Sequence, residues 1–241
     1  VVGHSYDLIV VGAGVSGSEA AYACAVAGLD TLLLSTSLDT VYMFPDGAVL
    51  NPPPGTLMAE LHTKLADARG YVGSLAWHRA AKGALERQTG LHLLQANAVA
   101  LLTEGNAVRG VATWEGVDWW APRVALCVGS FLQARLTIGS LTEAAGRLSE
   151  MAYDDLYHNL VALGFAFVPE RLEVPGSLPY RVEYQRFAPP QWDPAGFRLQ
   201  PIAGLYAAGV CAAGYLPFEA AALHGRELAA ALVGEHASRT G

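Results

Sequence analysis

"YDLIVVGAGVSGSEAA", residues 6–21, decides the fold. Residues 6–11 form an apolar, β-branched run of strand length, and residues 15–28 carry alanines at helical spacing until Gly28 stops the helix. Gly12, Gly14 and Gly17 stand in G-x-G-x-x-G at the junction. In that pattern Gly12 permits the tight turn, Gly14 lets the backbone approach a pyrophosphate, and Gly17 lets helix and strand pack closely. The phosphates then sit at the positive end of the helix dipole. A second strand, "TLLLS" at 31–35, completes a β-α-β unit with a right-handed crossover. Strand, helix, stop and second strand together favour dinucleotide binding over a glycine-rich turn without a ligand.

The second strand ends in Ser35 and Thr36, where an Asp or Glu usually holds the adenosine ribose. A hydroxyl or backbone amide could replace that acid, and Asp39 is the nearest carboxylate. One fingerprint is present, so separate flavin and nicotinamide Rossmann domains are excluded, and either cofactor fits the glycines alone.

Outward from this unit, residues 36–55, "TSLDTVYMFPDGAVLNPPPG", are too rich in Pro, Gly and Asp for regular structure. A loop of that length in a compact domain is usually functional, and Gly47 and Gly55 are its candidate hinges. Helical patterns cover 56–69 and 74–89, a strand covers 91–96, and residues 97–128 alternate as an antiparallel meander turning at Gly105-Asn106 and Glu115-Gly116. The spacing predicts an amphipathic helix over 149–164 with Ser149 as N-cap. A proline-rich β excursion follows, then a closing strand, loop and alanine-rich helix, "GLYAAGVCAAGYLPFEAAALHG", at 204–225. The expected fold is α/β: a single Rossmann-like FAD/NAD(P)-binding domain over 1–241. Its parallel core lies at 5–164 and 203–236, with the meander inserted and the small β excursion at 165–202.

Composition agrees: 52% of residues are hydrophobic and 15% charged, as expected for a globular protein whose central strands are covered on both faces. The formal net charge of −7, with only Lys64 and Lys82 as lysines, disfavours extended contact with nucleic acid. Cys24, Cys127 and Cys211 are far apart, with no metal-ligand spacing, which is the pattern of a reducing cytoplasm. No signal peptide and no membrane-spanning run is expected.

Three separated motifs in order, residues 6–40, "VALCVGSFLQARLTIG" at 124–139 and the terminal 204–225 stretch, resemble the FAD-binding core of the glucose-inhibited division protein A (GidA) family. Those flavoproteins modify the wobble uridine of tRNA. The resemblance covers residues 5 to about 168 and 203–233. It implies FAD as cofactor and an oxidoreductase, with Gly209 near the ribityl and pyrophosphate region and the following helix, from Phe218 and Glu219, aimed at the flavin pyrimidine. Gly129 and Ser130 would then end a neighbouring strand beside the cofactor, and the Val99 backbone would face the adenine. Many flavoproteins carry an acid after the glycine of the last strand; here it is Val210.

The chain also departs from the family. In place of the family's loop cysteine stands "MFPDGAVL", with Asp46 or Pro45 near its position, and neither the family's large inserted domain nor its C-terminal helical domain is expected from these residues. The expected function is therefore a cytoplasmic FAD-binding oxidoreductase whose small-molecule electron donor or substrate docks directly. The alternatives are a non-catalytic FAD module acting through a protein partner, and an NAD(P)-dependent dehydrogenase. Weak catalytic candidates are Glu219, Cys211 and Asp46; each has a plainer reading, as a helix-dipole acid, a packing thiol and a loop residue. His224 reads as a partner of backbone groups. Tyr180, Arg181, Tyr184 and Arg186 are either a substrate pocket or a half-exposed strand. Trp114, Trp119 and Trp120 read as cross-strand packing, and Asp154 and Asp155 as a solvated helix face.

Overall fold

The computed structural model describes residues 3–147, 150–175 and 178–240, the side chains of 239 and 240 excepted. The chain opens with β1 (Leu8–Val11), α1 (Val15–Val26) and β2 (Thr31–Ser35), as the opening motif requires. The long loop that follows contains only the two-residue β3 (Ala48–Val49), and leads to α2 (Leu57–Leu65), β4 (Tyr71–Val72), α3 (Ser74–Arg87) and β5 (Leu91–Gln95). The meander is β6 (Ala98–Glu104), β7 (Ala107–Thr113) and β8 (Asp118–Trp120), and the chain then returns to the centre as β9 (Val124–Leu126). Next come β10 (Arg135–Ile138), β11 (Leu141–Glu143), β12 (Ala145–Arg147), β13 (Glu150–Met151), α4 (Asp154–Ala162), β14 (Phe167–Val174) and β15 (Tyr180–Phe187). It closes with β16 (Leu205–Ala207), α5 (Val210–Ala213) and α6 (Phe218–Thr240).

The central sheet is parallel throughout, in the order β16-β9-β1-β2-β5. Its inner strands are buried along their whole length, which is why they read as unbroken apolar runs rather than alternating ones. One face packs on α1, α3 and α6 through Leu8, Val10, Leu33 and Ala125; the other packs on the meander and α4 through Ile9, Val11, Leu32 and Leu126. This is a Rossmann-like layering, and the glycine turn lies at the carboxyl edge of the sheet, beside the ends of β9 and β16.

Four readings change. Helix α4 starts at Asp154, not 149, because Glu150–Met151 pairs with Ala145–Arg147 as strand; Ser149 itself lies outside the described residues. The β excursion is a four-stranded antiparallel sheet, β11-β10-β15-β14, that also recruits residues 135–143. The loop read between the closing strand and its helix holds a single helical turn, α5, ended by Gly214 at φ 82°, and α6 begins at Phe218 after Pro217. Trp119 is buried on the meander as cross-strand packing requires, but Trp114 is 75% exposed and Trp120 43%.

Candidate functional site

The glycine turn works through close approach. A Cβ on Gly17 would lie 1.9 Å from the Gly12 carbonyl oxygen, and one on Gly12 would lie 2.4 Å from the Cys127 carbonyl oxygen. Both glycines therefore hold β1, α1 and β9 together. At Gly14 a Cβ would meet nothing within 4 Å, so its backbone fronts open space at the N-terminus of α1. That space is the middle of a groove.

Three hollows make up this groove. The narrow middle one, about 90 Å³, is lined by Gly12, Gly14, Ser35, Thr36 and Gly129, with Arg147 and Glu150 opposite. Through Gly14, Cys127 and Gly129 it opens into an apolar hollow of about 470 Å³, walled by Gly209, Val210, Phe218 and Glu219 on one side and Pro45, Asp46 and Gly47 on another. Through Thr36 and Tyr153 it opens at the other end into a hollow of about 420 Å³ lined by Gln95, Asn97, Ala98 and Trp114. Large, narrow and large is the outline of a dinucleotide, with its pyrophosphate against Gly14. The residues fit the cofactor the motifs imply: the cradle at Gly14 is open and no Cβ fills it.

Of the residues named from sequence, Gly12, Gly14, Ser35, Thr36, Gly129, Gly209, Val210, Phe218, Glu219 and Asp46 all line this groove. Gly17 serves packing alone. Ser130 does not reach the groove; it is buried and donates to the Gly146 carbonyl at 3.1 Å. Val99 lies outside all three hollows, where its neighbour Ala98 takes the wall. Cys211 is fully buried, its thiol donating to the carbonyls of Leu126 and Ala208 and pushed up to about 12 by burial. It is a packing residue, with no thiolate to offer at neutral pH. Asp39 is exposed and stays out of the groove. Tyr180 and Tyr184 pack inward beneath the outer sheet, Arg186 is engaged by Glu170 at 2.9 Å, and Tyr184 also lines the outer-sheet cleft described below. Asp154 is not simply solvated, since it pairs with Arg135 at 3.1 Å.

The loop over the flavin-sized hollow is tied down rather than loose. Tyr42 donates its N–H to the Ala13 carbonyl (2.8 Å) and its hydroxyl to Glu19, and the Val41 and Phe44 carbonyls are held by His78 and Ser74. Phe44 stacks on Trp77 and lies 4.4 Å, centroid to centroid, from Phe218. Further on, Glu219 accepts the N–H of Asn51 at 3.1 Å, so this acid anchors the loop to the first turn of α6. A Cβ on Gly47 would strike the Tyr71 hydroxyl at 2.0 Å, so Gly47 answers a close approach.

Glu19, Arg147 and Glu150 had no local signal, whereas His224 is the partner of backbone groups that its reading expected. Glu19, 1% exposed on α1, accepts from the N–H groups of Leu57 and Met58 at 2.8 and 2.7 Å and so caps α2. Burial raises its carboxyl above the usual range, and the Tyr42, Met58 and Leu57 hydrogen bonds draw it back down. His224 accepts the Gly209 N–H at Nδ1 (2.8 Å), and burial lowers its pKa, so a neutral ring sets the backbone where β16 meets the groove. Glu150 and Arg147 come from β12 and β13, far along the chain from the glycines they face.

A wider polar cleft of about 660 Å³ on the outer sheet, lined by Gln133, Arg135, Glu170 and Arg171, does not reach the glycine turn. Among the described residues no cluster of His, Cys, Asp and Glu could hold a metal, and no helix is long and apolar enough to cross a membrane.

Known proteins resemble this chain in sequence and fold. The chain is 34% identical over 186 residues to the tRNA uridine 5-carboxymethylaminomethyl modification enzyme MnmG of Chlamydia trachomatis serovar A, a match covering 66% of this chain and 30% of that protein. It is 33% identical to the MnmG of Syntrophobacter fumaroxidans over 80% of this chain and 34% of that one. The chain thus spans about a third of the length of these curated relatives. The crystal structure of the GidA-related protein from Thermus thermophilus superposes with a TM-score of 0.89 at 42% identity, covering 96% of this chain and all of that one. The family model for glucose inhibited division protein A matches residues 7–169, well over half of the chain, and the chain belongs to that family.

Proposed function

We propose that the groove binds FAD and that the protein is a flavin-dependent oxidoreductase. The observation that carries this reading is the open cradle at Gly14 in a narrow hollow that shares wall residues with a larger hollow on each side, one of them apolar and flavin-sized. A bound flavin supplies reversible electron transfer. The chain's own residues supply the rest: Gly14 and the α1 N-terminus receive the pyrophosphate, and the Gly209–Val210 backbone and the first turn of α6 wall the ring site. Phe44 and Phe218 keep water from the back of that hollow.

Asp46 is an exposed acid in the wall of the ring hollow, which Glu173 and Glu219 also line, on the loop where the family places its cysteine. It is suited to orient a small polar substrate or accept a proton from it, but not to form the bond a thiolate would. Extended tRNA binding by this chain alone is disfavoured by the net charge of −7. This leaves a small electron donor, or a protein partner presenting one, as the expected reductant.

The test is the visible spectrum of the purified protein, before and after adding FAD and removing the excess. A retained flavin band supports the cofactor; anaerobic bleaching by NADH or NADPH then supports an oxidoreductase, and a flavin that no donor reduces favours a binding module. Retention of NAD or NADP in place of flavin would overturn the reading.

A further inference from the structure

Resting on FAD as the ligand, we propose that Glu150 accepts the 2′-hydroxyl of the adenosine ribose, doing from β13 what an acid at the end of β2 does in other dinucleotide sites. Glu150 faces Ser35, Thr36 and Gly14 across the narrow hollow, and its side chain is only 10% exposed. Its Oε1 is buried and has no hydrogen-bond partner among the described residues; the nearest cation, Nε of Arg147, is 3.6 Å away. A buried carboxylate oxygen without a donor is costly, and one carried by a residue in the wall of a ligand groove is an acceptor suited to a ligand hydroxyl.

The groups nearer to β2 offer no carboxylate to this hollow. The Ser35 hydroxyl donates to the Ser37 carbonyl at 2.7 Å, Thr36 shares the hollow with Tyr153 and carries no charge, and Asp39 is turned to solvent. The pyrophosphate is no alternative partner, because a carboxylate repels it and the glycine turn already receives it. Arg147 holds Glu150 in place: Nη1 donates to the Met43 carbonyl at 3.1 Å, which fixes the guanidinium between the loop and the carboxylate. Burial raises the Glu150 carboxyl, and Arg147 and Thr40 pull it back toward the charged form that accepts best.

The experiment titrates the apoproteins of wild type, Glu150→Ala and Glu150→Gln with FAD and with FAD built on 2′-deoxyadenosine, by calorimetry, with a thermal melt of each apoprotein as fold control. Wild type should bind the deoxy analogue about tenfold or more weakly than FAD, the loss of one hydrogen bond to a charged acceptor. Glu150→Ala should bind both ligands alike, at the weaker level. Glu150→Gln preserves volume and an acceptor, so it should lie between and carries the test if the alanine variant does not fold. Equal affinity of wild type for the two ligands, or a deoxy penalty that persists in full in the folded variants, overturns the assignment of Glu150 while leaving FAD binding standing. Failure of wild type to bind FAD at all would instead overturn the cofactor reading on which it rests.

Discussion

Replacing Glu19 with alanine should destabilise the protein by about 2–4 kcal/mol, although residue 19 touches no ligand hollow. The carboxylate receives the N–H groups of Leu57 and Met58 and the Tyr42 hydroxyl, and it is 1% exposed. Each buried donor left unmet costs about 1–3 kcal/mol, which puts the two amides alone at about 2–6 kcal/mol. The space vacated admits water to part of that set, so the lower half of the range is expected. The pH dependence supplies an independent check. Because the folded-state pKa of Glu19 is raised, the native protein holds this proton more tightly than the unfolded chain does. Stability from this group is greatest below the ordinary carboxyl range, falls as pH rises through the window up to the folded pKa, and is level above it. Urea unfolding of wild type and of Glu19→Gln across that window measures the slope, which the glutamine variant should flatten. An alanine variant within about 1 kcal/mol of wild type, or an unchanged slope in the glutamine variant, would refute the reasoning.

Gly14→Ala should fold normally, since its φ of −73° suits alanine and nothing lies within 4 Å of the new methyl, yet bind FAD about tenfold or more weakly because the methyl enters the groove; calorimetry and a thermal melt together check this. Gly17→Ala should do the opposite, losing about 3 kcal/mol or more in urea unfolding, because a Cβ lies 1.9 Å from the Gly12 carbonyl oxygen. The lowered pKa of His224 makes its stability contribution complete above the ordinary imidazole range and lost as pH falls through the folded value, and His224→Gln should remove that acid limb from a stability profile.

The sequence made legible what is local. Residues 6–35 carry strand, turn, helix and strand within one short stretch, and the burial of every β1 and β2 residue is written there as an apolar run. The family resemblance of the terminal motif placed Gly209, Phe218 and Glu219 at the cofactor, and all three line the same groove. Glu150 has no such signature, because its role comes from pairing with Ala145–Arg147 and from the fold bringing β13 opposite β2; nothing in the residues around it marks a ligand. The helix expected from 149 starts later for the same reason, since helical spacing continues through residues whose backbone is taken by a strand partner. Strand β11 is illegible because Leu141, Thr142 and Glu143 are all exposed, and an edge strand without a buried face leaves no alternation to read.

Helix α1 ties the middle of the groove to its flavin-sized end, which explains why buried polar groups gather on it. Ser16 donates its hydroxyl to the Ala221 carbonyl at 2.8 Å, and Gly225 lets α6 cross so closely that a Cβ there would lie 2.2 Å from the Ser16 carbonyl oxygen. Glu19, one turn further along, holds Tyr42 of the loop and the start of α2. The phosphate turn at the front of α1, the α6 wall of the flavin-sized hollow and the loop carrying Asp46 are therefore fixed to one rigid element. A substitution at Ser16 or Gly225 that moved α6 by even part of an ångström would shift the Phe218–Glu219 wall relative to Gly14, and would weaken a ligand that must reach both. A small domain gains from this arrangement because a ligand spanning two hollows binds well only when both are held at a fixed separation.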